Sequence, residues 1–188
     1  MIHLQEYDKN WPKIYHEEKN DILKTAGKWI EGIEHVGSTS VPGLIAKPTI
    51  DICIGVTSLS QAEQDILKPL QAVGYEYIKD LEIGIPERRY LQKLNEKGEH
   101  LFHIHVVVIN DKLWNEYIRF RDYLIANPEE AQVYASLKLE LKEKFSHDRK
   151  AYTEAKSDYI ATILNKAQIW DENINSQSID KVLKMHLS

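Results

Sequence analysis

The first third of the chain alternates between a helical pattern of apolar residues and short apolar runs typical of strands. Asn10 and Pro12 form a helix start signal, and apolar residues at helical spacing continue as far as Gly27. Apolar runs at 33–36 and 49–54 enclose a loop that is rich in glycine and hydroxyl residues. This order predicts an amphipathic helix followed by two strands that the loop joins.

The next stretch predicts one more helix and three further strands. A capping box that begins at Ser60 opens the helix, which Pro69 should kink or shorten. An apolar run at 75–78 follows as a short strand. Runs at 86–94 and 101–109 are joined by Asn-Glu-Lys-Gly, which indicates a β-hairpin.

The pattern becomes helical from Asp111 onward. Asp111 and Asn127 are the predicted N-caps of two helices, and the proline after Asn127 strengthens the second start signal. Aromatic and aliphatic residues at helical spacing between 152 and 163 predict a third helix. The polar residues at 171–173 should interrupt the pattern before a final helix.

These elements predict a single α/β (α+β) domain over residues 1–167. Its sheet part takes about residues 1–110 and its helical C-terminal lobe about 111–167, with 168–188 as a tail. A small mixed sheet flanked by helices is the expected architecture. A chain of 188 residues can bury a core without disulfides or structural metals.

Composition narrows the class of partner. The net charge is −5 and neither half of the chain is basic, which argues against a nucleic-acid partner and favours a small molecule or nucleotide. The only cysteine, Cys53, excludes an internal disulfide and fits a reducing cytoplasm. No signal peptide is apparent, and no apolar run approaches the length of a membrane span. We therefore expect a cytoplasmic protein without a membrane partner.

Asp51 is the most unusual residue of the predicted sheet because it lies between two isoleucines. Side chains alternate along a strand, so Ile50, Ile52 and Ile54 share one face and Asp51 lies on the other. A carboxylate beside a core has a raised pKa unless a cation or a hydrogen-bond donor offsets its burial. A bound divalent metal is the partner that we expect first. Since the isoleucines anchor the strand, we expect Asp51 to serve function rather than stability.

The loop between the first two strands has the composition of an anion-binding site. Its glycine and hydroxyl residues can present N–H and O–H groups to a phosphate, although the same hydroxyls can also cap the turn that follows. Basic residues elsewhere can neutralise a phosphate, or else lie solvated on the surface. The candidate phosphate and nucleotide ligands are Gly37, Ser38, Thr39, Ser40, Lys47, Arg88, Arg89 and Lys156.

His103 and His105 form a second candidate cluster. Two residues apart on a predicted strand, they face the same way, and a position beside Asp51 would suit metal binding or acid–base catalysis. The alternative is a pair of packed histidines satisfied by hydrogen bonds. This segment also resembles histidine-triad nucleotide hydrolases, but Val107 stands where those enzymes have a third histidine. The predicted catalytic and metal-binding residues are Asp51, His103 and His105.

The Gly-Ser pair of the loop, followed by Asp51 on a strand, resembles the pattern of polymerase-beta-like nucleotidyltransferases. The segments His-Val-Gly-Ser-Thr-Ser-Val-Pro-Gly-Leu from His35, Lys-Pro-Thr-Ile-Asp-Ile from Lys47 and Phe-His-Ile-His-Val from Phe102 resemble the GrpB family. This narrower resemblance covers about residues 5–167. It implies the nucleotidyltransferase fold. In that superfamily the substrate is a nucleoside triphosphate, and divalent ions are held by carboxylates.

The sequence departs from the active pattern of that superfamily around its metal-binding acids. Asp51 is the only acid on its strand, and the neighbouring positions on the same face hold Thr49 and Cys53. His103 and His105 stand where the third acid is expected. Oxygen ligands suit Mg²⁺, whereas imidazoles suit softer ions such as Mn²⁺ or Zn²⁺. These departures count against two-metal catalysis and leave the identity of the metal open.

Three functions follow from these residues and from the resemblance. The leading one is metal-dependent nucleotidyl transfer to a small molecule, with Asp51 as metal ligand and the Gly-Ser pair as phosphate cradle. The second is a module that binds a nucleotide or a CoA-like ligand without chemistry, since GrpB-like domains also occur appended to dephospho-CoA kinase. The third is a metal-dependent hydrolase that uses His103, His105 and Asp51. The acceptor, the nucleotide base and the oligomeric state stay open.

Overall fold

A five-stranded sheet forms the centre of the computed structural model, which describes residues 2–186 except for the side chains of 149 and 175–186. The strands are β1 (Gly32–Val36), β2 (Ile50–Val56), β3 (Glu76–Tyr77), β4 (Arg88–Leu94) and β5 (His100–Val108). Their order in the sheet is β1-β2-β5-β4-β3. Strands β2 and β5 are parallel and the other neighbouring pairs are antiparallel, so the sheet is mixed, as predicted.

One face of the sheet is apolar and carries the main core. The isoleucines of β2 lie on this face and are almost fully buried, as strand alternation predicts. Helix α1 (Trp11–Ala26) packs its apolar stripe against them. The short helices α2 (Leu59–Ala62) and α3 (Lys68–Ala72) cover the rest of this face.

The opposite face is covered only in part. Helix α4 (Lys112–Ala126) packs over a small apolar cluster that includes Cys53. Asp51, His103 and Gln92 form the next row of side chains across β2, β5 and β4. This row borders a cavity and is the open part of the sheet.

The helical lobe follows the sheet in the chain and has a core of its own. Helices α5 (Pro128–Lys144), α6 (Arg149–Ala155) and α7 (Ser157–His186) complete it around α4. Val41 and Leu44, from the loop that follows β1, are buried in that core. The loop is thereby held between the sheet and the lobe, which fixes the Gly-Ser turn beside α5.

The second predicted helix differs from its expectation. It begins at Leu59 and has no side-chain cap, and Glu63–Leu67 forms a π-helical turn before α3. Pro69 lies in the first turn of α3, where a missing N–H is tolerated. The prediction of a capping box at Ser60 is therefore wrong, and the proline is accommodated by a change of helix type.

Two helix boundaries in the helical lobe also differ from those predicted from the sequence. The apolar stripe between 152 and 163 belongs to two helices, because the chain leaves α6 and enters α7 at Lys156. Helix α7 continues through 171–173, where Arg119 Nε donates to Asp171 Oδ2 at 2.7 Å and ties this polar segment to α4. The predicted break at 171–173 is therefore wrong.

The longest helix, α7, contains both apolar and charged residues. Helix α7 has 30 residues, and charged side chains recur along it. Within the described part of the chain, no helix is both long enough and apolar enough to cross a membrane.

Candidate functional site

Asp51 lies in the open row of the sheet and accepts hydrogen bonds from two histidines. The parallel register of β2 and β5 places it beside His103, whose Nδ1 is 3.0 Å from Asp51 Oδ1. His105, two residues further along β5, has its Nε2 3.5 Å from the same oxygen. The three residues singled out in the sequence thus meet around one carboxylate oxygen. Their catalytic and metal-binding roles stay predictions.

The two histidines extend Asp51 into a chain of hydrogen bonds. Tyr117 Oη lies 3.1 Å from His105 Nδ1, and His100 Nδ1 lies 3.2 Å from His103 Nε2. When the neutral rings of His103 and His105 both donate to the carboxylate, the other nitrogen of each ring must accept a hydrogen bond. Tyr117 then donates to His105 Nδ1, and His100 donates to His103 Nε2. The chain therefore sets the ring tautomers and runs from Tyr117 on α4 to His100 in the cavity wall.

Burial and the histidines act in opposite directions on the Asp51 carboxyl. Burial favours its neutral form, but the hydrogen bonds from His103 and His105 outweigh burial and hold the pKa of Asp51 well below its usual range. Burial also lowers the pKa of His105, although the carboxylate opposes this, and raises the pKa of Tyr117 to about 12. The Asp51 side chain keeps 27% of its accessible surface, so a charged carboxylate faces the cavity.

The Gly-Ser loop uses most of its hydroxyls internally. Its three hydroxyl residues form one 3₁₀ turn, in which Ser40 Oγ donates to the Gly37 carbonyl at 2.6 Å. Thr39 Oγ1 lies 2.9 Å from Nε2 of the buried His35. Ser38 Oγ instead accepts from Lys138 Nζ at 3.3 Å in the cavity wall. The hydroxyls of Thr39 and Ser40 thus stabilise the turn, and the phosphate-binding roles of all three hydroxyl residues stay predictions.

Gly37 brings the backbone into contact with Asp51. Its φ is 71°, and a Cβ at this position would lie 2.4 Å from Asp51 Oδ2. We expect Gly37→Ala to lower the free energy of unfolding by about 2 kcal/mol, because it adds a steric clash to backbone strain. Gly43→Ala is the control: its φ is 80° but its Cβ would meet open space, so we expect a loss of about 1 kcal/mol. Chemical denaturation measures the free energy of unfolding of both variants. Equal losses would contradict the close approach of Gly37 to Asp51.

A cavity of about 520 Å³ opens beside Asp51. Among its described lining residues, four are lysines or arginines and Asp51 alone is a carboxylate. The whole chain has a net charge of −5, so this cavity concentrates the opposite sign. We call it the basic cavity, and its cations are Lys47, Arg88, Lys138 and Lys156.

Lys138 is a candidate that the sequence pattern conceals. It lies on α5 with only 2% of its surface exposed, and its Nζ donates to the Ile45 carbonyl. Burial, and then the charge of Lys156, lower its pKa to about 7. The one signal in the sequence is that a lysine interrupts the buried stripe of α5 between Tyr134 and Leu141.

Tyr152 brings two further lysines together at the cavity. Its side chain is buried, and Nζ of Lys47 and Nζ of Lys156 lie 4.7 and 4.6 Å from its ring centroid. Cation–π attraction holds both ammonium groups beside the ring. Both lysines therefore line the basic cavity, although one precedes β2 and the other joins α6 to α7.

The two adjacent arginines of β4 lie on opposite faces of the sheet. Arg88 lines the basic cavity, where its Nη2 donates to the Leu81 carbonyl at 2.5 Å and its buried Nε has no hydrogen-bond partner among the described residues. Arg89 points to the other face and pairs with Glu63 at 2.8 Å and Glu82 at 3.6 Å. The prediction of a phosphate contact is therefore wrong for Arg89, because successive strand residues face opposite ways.

The donor atoms around Asp51 do not fit a two-ion metal centre. Asp51 is the only carboxylate among the described residues of the cavity wall, and at the next position on its face Cys53 is fully buried, with a thiol pKa raised by burial. The nearer nitrogens of His103 and His105 are directed at the carboxylate itself. Among the described residues, no group of three or more His, Cys, Asp or Glu is arranged to hold an ion. A single ion at Asp51 stays a prediction.

Known sequences resemble the chain over most of its length. The family described as GrpB protein matches residues 1–166. The glutamate-rich protein GrpB of Alkalihalophilus pseudofirmus is 35% identical over 165 residues, which is 87% of this chain and 94% of that protein. A dephospho-CoA kinase of Mycolicibacterium paratuberculosis is 26% identical over 193 residues, which is 92% of this chain and 47% of that protein.

Solved structures resemble the fold. The crystal structure of the conserved protein GrpB from Enterococcus faecalis has a TM-score of 0.80 and 29% identity, and the match covers 89% of this chain and 99% of that one. Terminal uridylyl transferase 4 from Trypanosoma brucei with bound CTP has a TM-score of 0.47 and 11% identity, with 88% of this chain and 52% of that one covered. The predicted fold class, α+β with a mixed sheet and a helical lobe, is confirmed.

Proposed function

The chain belongs to the GrpB family, and we propose that its basic cavity binds a phosphorylated small molecule, namely a nucleotide. The observation that carries this proposal is the composition of the cavity wall, in which the described residues include four lysines or arginines and one carboxylate. A triphosphate chain supplies several negative charges and acceptor oxygens for such groups.

The concentration of basic groups in the cavity wall favours an anionic ligand. Burial lowers the pKa of Lys138, and the positive charge of Lys156 lowers it further. The buried Nε of Arg88 is a donor without an acceptor among the described residues. A bound phosphate would supply both the missing negative charge and the missing acceptor.

Thermal-shift and calorimetric titration with inorganic tripolyphosphate and with adenosine triphosphate test this proposal. We expect both anions to stabilise the protein, and Lys156→Gln to weaken their binding about tenfold through the loss of one charge-assisted contact. The matched control is Lys13→Gln, which removes the same charge from an exposed position on α1. If neither anion binds, or if the two variants behave alike, the basic cavity is not a phosphate site.

A second candidate function is nucleotidyl transfer to a small-molecule acceptor, and the Asp51–His103 pair at the cavity favours it. Asp51 accepts from His103 Nδ1, which directs the other ring nitrogen, Nε2, outward. An acceptor hydroxyl that replaces His100 at Nε2 could give its proton to His103. Its oxygen would attack the α-phosphorus and pyrophosphate would leave, with Arg88 and the lysines neutralising the charge.

Transfer is tested with a nucleoside triphosphate labelled at the α-phosphate and a panel of small hydroxyl and amine acceptors. We expect labelled adducts and released pyrophosphate from the native protein, and at least a hundredfold less from His103→Ala. The variant should still bind tripolyphosphate, because no cation has been removed. Binding without turnover in every mixture, with or without Mg²⁺ or Mn²⁺, would leave the chain as a nucleotide-binding module and refute the transferase proposal.

A further inference from the structure

A second cleft adjoins the basic cavity and has no role in the function proposed above. It has a volume of about 660 Å³, within the range of small-molecule sites. Lys47, Thr49 and His100 line both spaces, so a ligand can extend from one into the other. We call this space the outer cleft.

Strand β5 links the two spaces. Leu101 and His103 lie two residues apart on β5, which is a distance of about 7 Å along a strand, and the pairing with β4 shifts register at Leu101. His103 lines the basic cavity, and Leu101 lines the outer cleft with 37% of its surface exposed. A ligand whose phosphates lie beside His103 would therefore bring the adjoining part of its structure over Leu101.

The outer cleft differs from the basic cavity in its chemistry. Among its described lining residues, Lys47 is the only lysine or arginine and Glu99 the only carboxylate, so their formal charges cancel. Apolar surface comes from Ile2, Pro48 and Leu101. Hydrogen-bonding groups surround this surface on the N-terminal segment, the β4–β5 turn and the loop before α6: His3, Asn95, Ser146 and His147.

This combination of apolar surface and polar edges is complementary to a heterocyclic base and its sugar. A base has flat faces that prefer apolar contact and an edge of donors and acceptors. An additional phosphate group would find no excess of positive charge in the outer cleft. We propose that the outer cleft holds the nucleoside part of the nucleotide whose phosphates occupy the basic cavity. This inference rests on the proposed nucleotide-binding function and adds the orientation of the ligand.

The test compares ligands that have or lack a nucleoside. Calorimetric titration of the native protein should give tighter binding for at least one of ATP, GTP, CTP and UTP than for inorganic tripolyphosphate. Leu101→Thr keeps a strand-forming residue but removes apolar contact, so it should weaken the preferred nucleotide about fivefold. It should leave the affinity for tripolyphosphate within about twofold of native, since it changes no charge.

Leu94→Thr is the matched control, because Leu94 is 38% exposed on the same hairpin but lines neither space. It should leave every affinity unchanged. As a second measurement, photo-crosslinking with an azido analogue of the preferred nucleotide should label peptides that contain His3, Leu101 or His147.

The possible failures are distinguishable. Tripolyphosphate that binds as tightly as every nucleotide, or a Leu101→Thr variant that leaves the preferred nucleotide unaffected, would overturn the inference while the phosphate site stands. A Leu101→Thr variant with native affinity for the nucleotide would assign the outer cleft to another occupant, such as the acceptor. Failure of tripolyphosphate itself to bind would refute the proposed function, and this inference with it.

Discussion

Lys138→Met is expected to weaken tripolyphosphate and nucleotide binding at least about a hundredfold, measured by calorimetry at pH 6. At this pH the native lysine is protonated, because its pKa in the folded chain is about 7. A buried, fully charged donor that meets a phosphate makes one of the strongest contacts available to the cavity. Methionine keeps similar length without the charge. A variant that binds within threefold of native would show that Lys138 only fills space.

The same variant is expected to change how stability depends on pH. The pKa of Lys138 falls from 10.5 to about 7 on folding, so the unfolded chain holds the proton between these values while the folded chain has lost it. The stability of the native protein, measured without ligand, should therefore rise with pH from about 7 toward 10. Lys138→Met lacks this contribution, so its stability relative to native should fall by roughly 2 kcal/mol between pH 6 and pH 9. Urea denaturation measures the free energy of unfolding of both proteins at each pH. The same pH dependence for the native protein and the variant would contradict the depressed pKa of Lys138.

Asp51→Asn is expected to cost about 2 kcal/mol of stability at pH 7, contrary to the sequence-based expectation that Asp51 serves function rather than stability. The carboxylate accepts hydrogen bonds from two imidazoles, and an amide oxygen is a weaker acceptor without charge. Because the pKa of Asp51 is depressed on folding, its stabilising contribution is present above its ordinary value of 3.8 and is lost as pH falls toward the folded value. Denaturation at pH 7 and below pH 4 should show the difference between native and variant narrowing in acid.

The same substitution separates binding from chemistry. Asp51 is the only carboxylate among the described residues of the basic cavity, so its removal should tighten tripolyphosphate binding severalfold. The rate of any nucleotidyl transfer should fall at least about a hundredfold, because the variant lacks the negative charge of Asp51 that orients and stabilises the His103 ring. His16→Asn is the control, because this exposed histidine of α1 does not line the cavity. Weaker anion binding by Asp51→Asn would indicate that Asp51 holds a cation required by the ligand.

Much of the site was accessible from local sequence rules. Alternation put Asp51 opposite the isoleucines of β2 and put His103 and His105 on one face of β5. Their position beside Asp51 was expected from this alternation together with the resemblance to nucleotidyltransferases, and the structure brings the three residues together. The same rule separates Arg88 from Arg89, so grouping them as phosphate ligands was an error that the sequence itself could have prevented. The Gly-Ser turn was also located correctly, since its glycine and hydroxyls mark it locally.

Other properties of the site depend on contacts between distant elements. Lys138 enters the cavity wall only because α5 packs beside the loop that follows β1, and its low pKa comes from burial within that contact. The histidines that lower the pKa of Asp51 lie more than 50 residues from it in the chain. The internal hydrogen bonds of Thr39 and Ser40 likewise required the folded turn.

The sequence by itself determined the order of most strands and helices along the chain and the face of β2 on which Asp51 lies, opposite its isoleucines. These features follow from periodicities of two and 3.6 residues, which are local properties of the backbone. Only the tertiary structure decided which charges meet in the basic cavity, which hydroxyls stay available and how the outer cleft joins it. Burial and electrostatic coupling depend on distances between segments far apart in the chain, and those distances are set by packing.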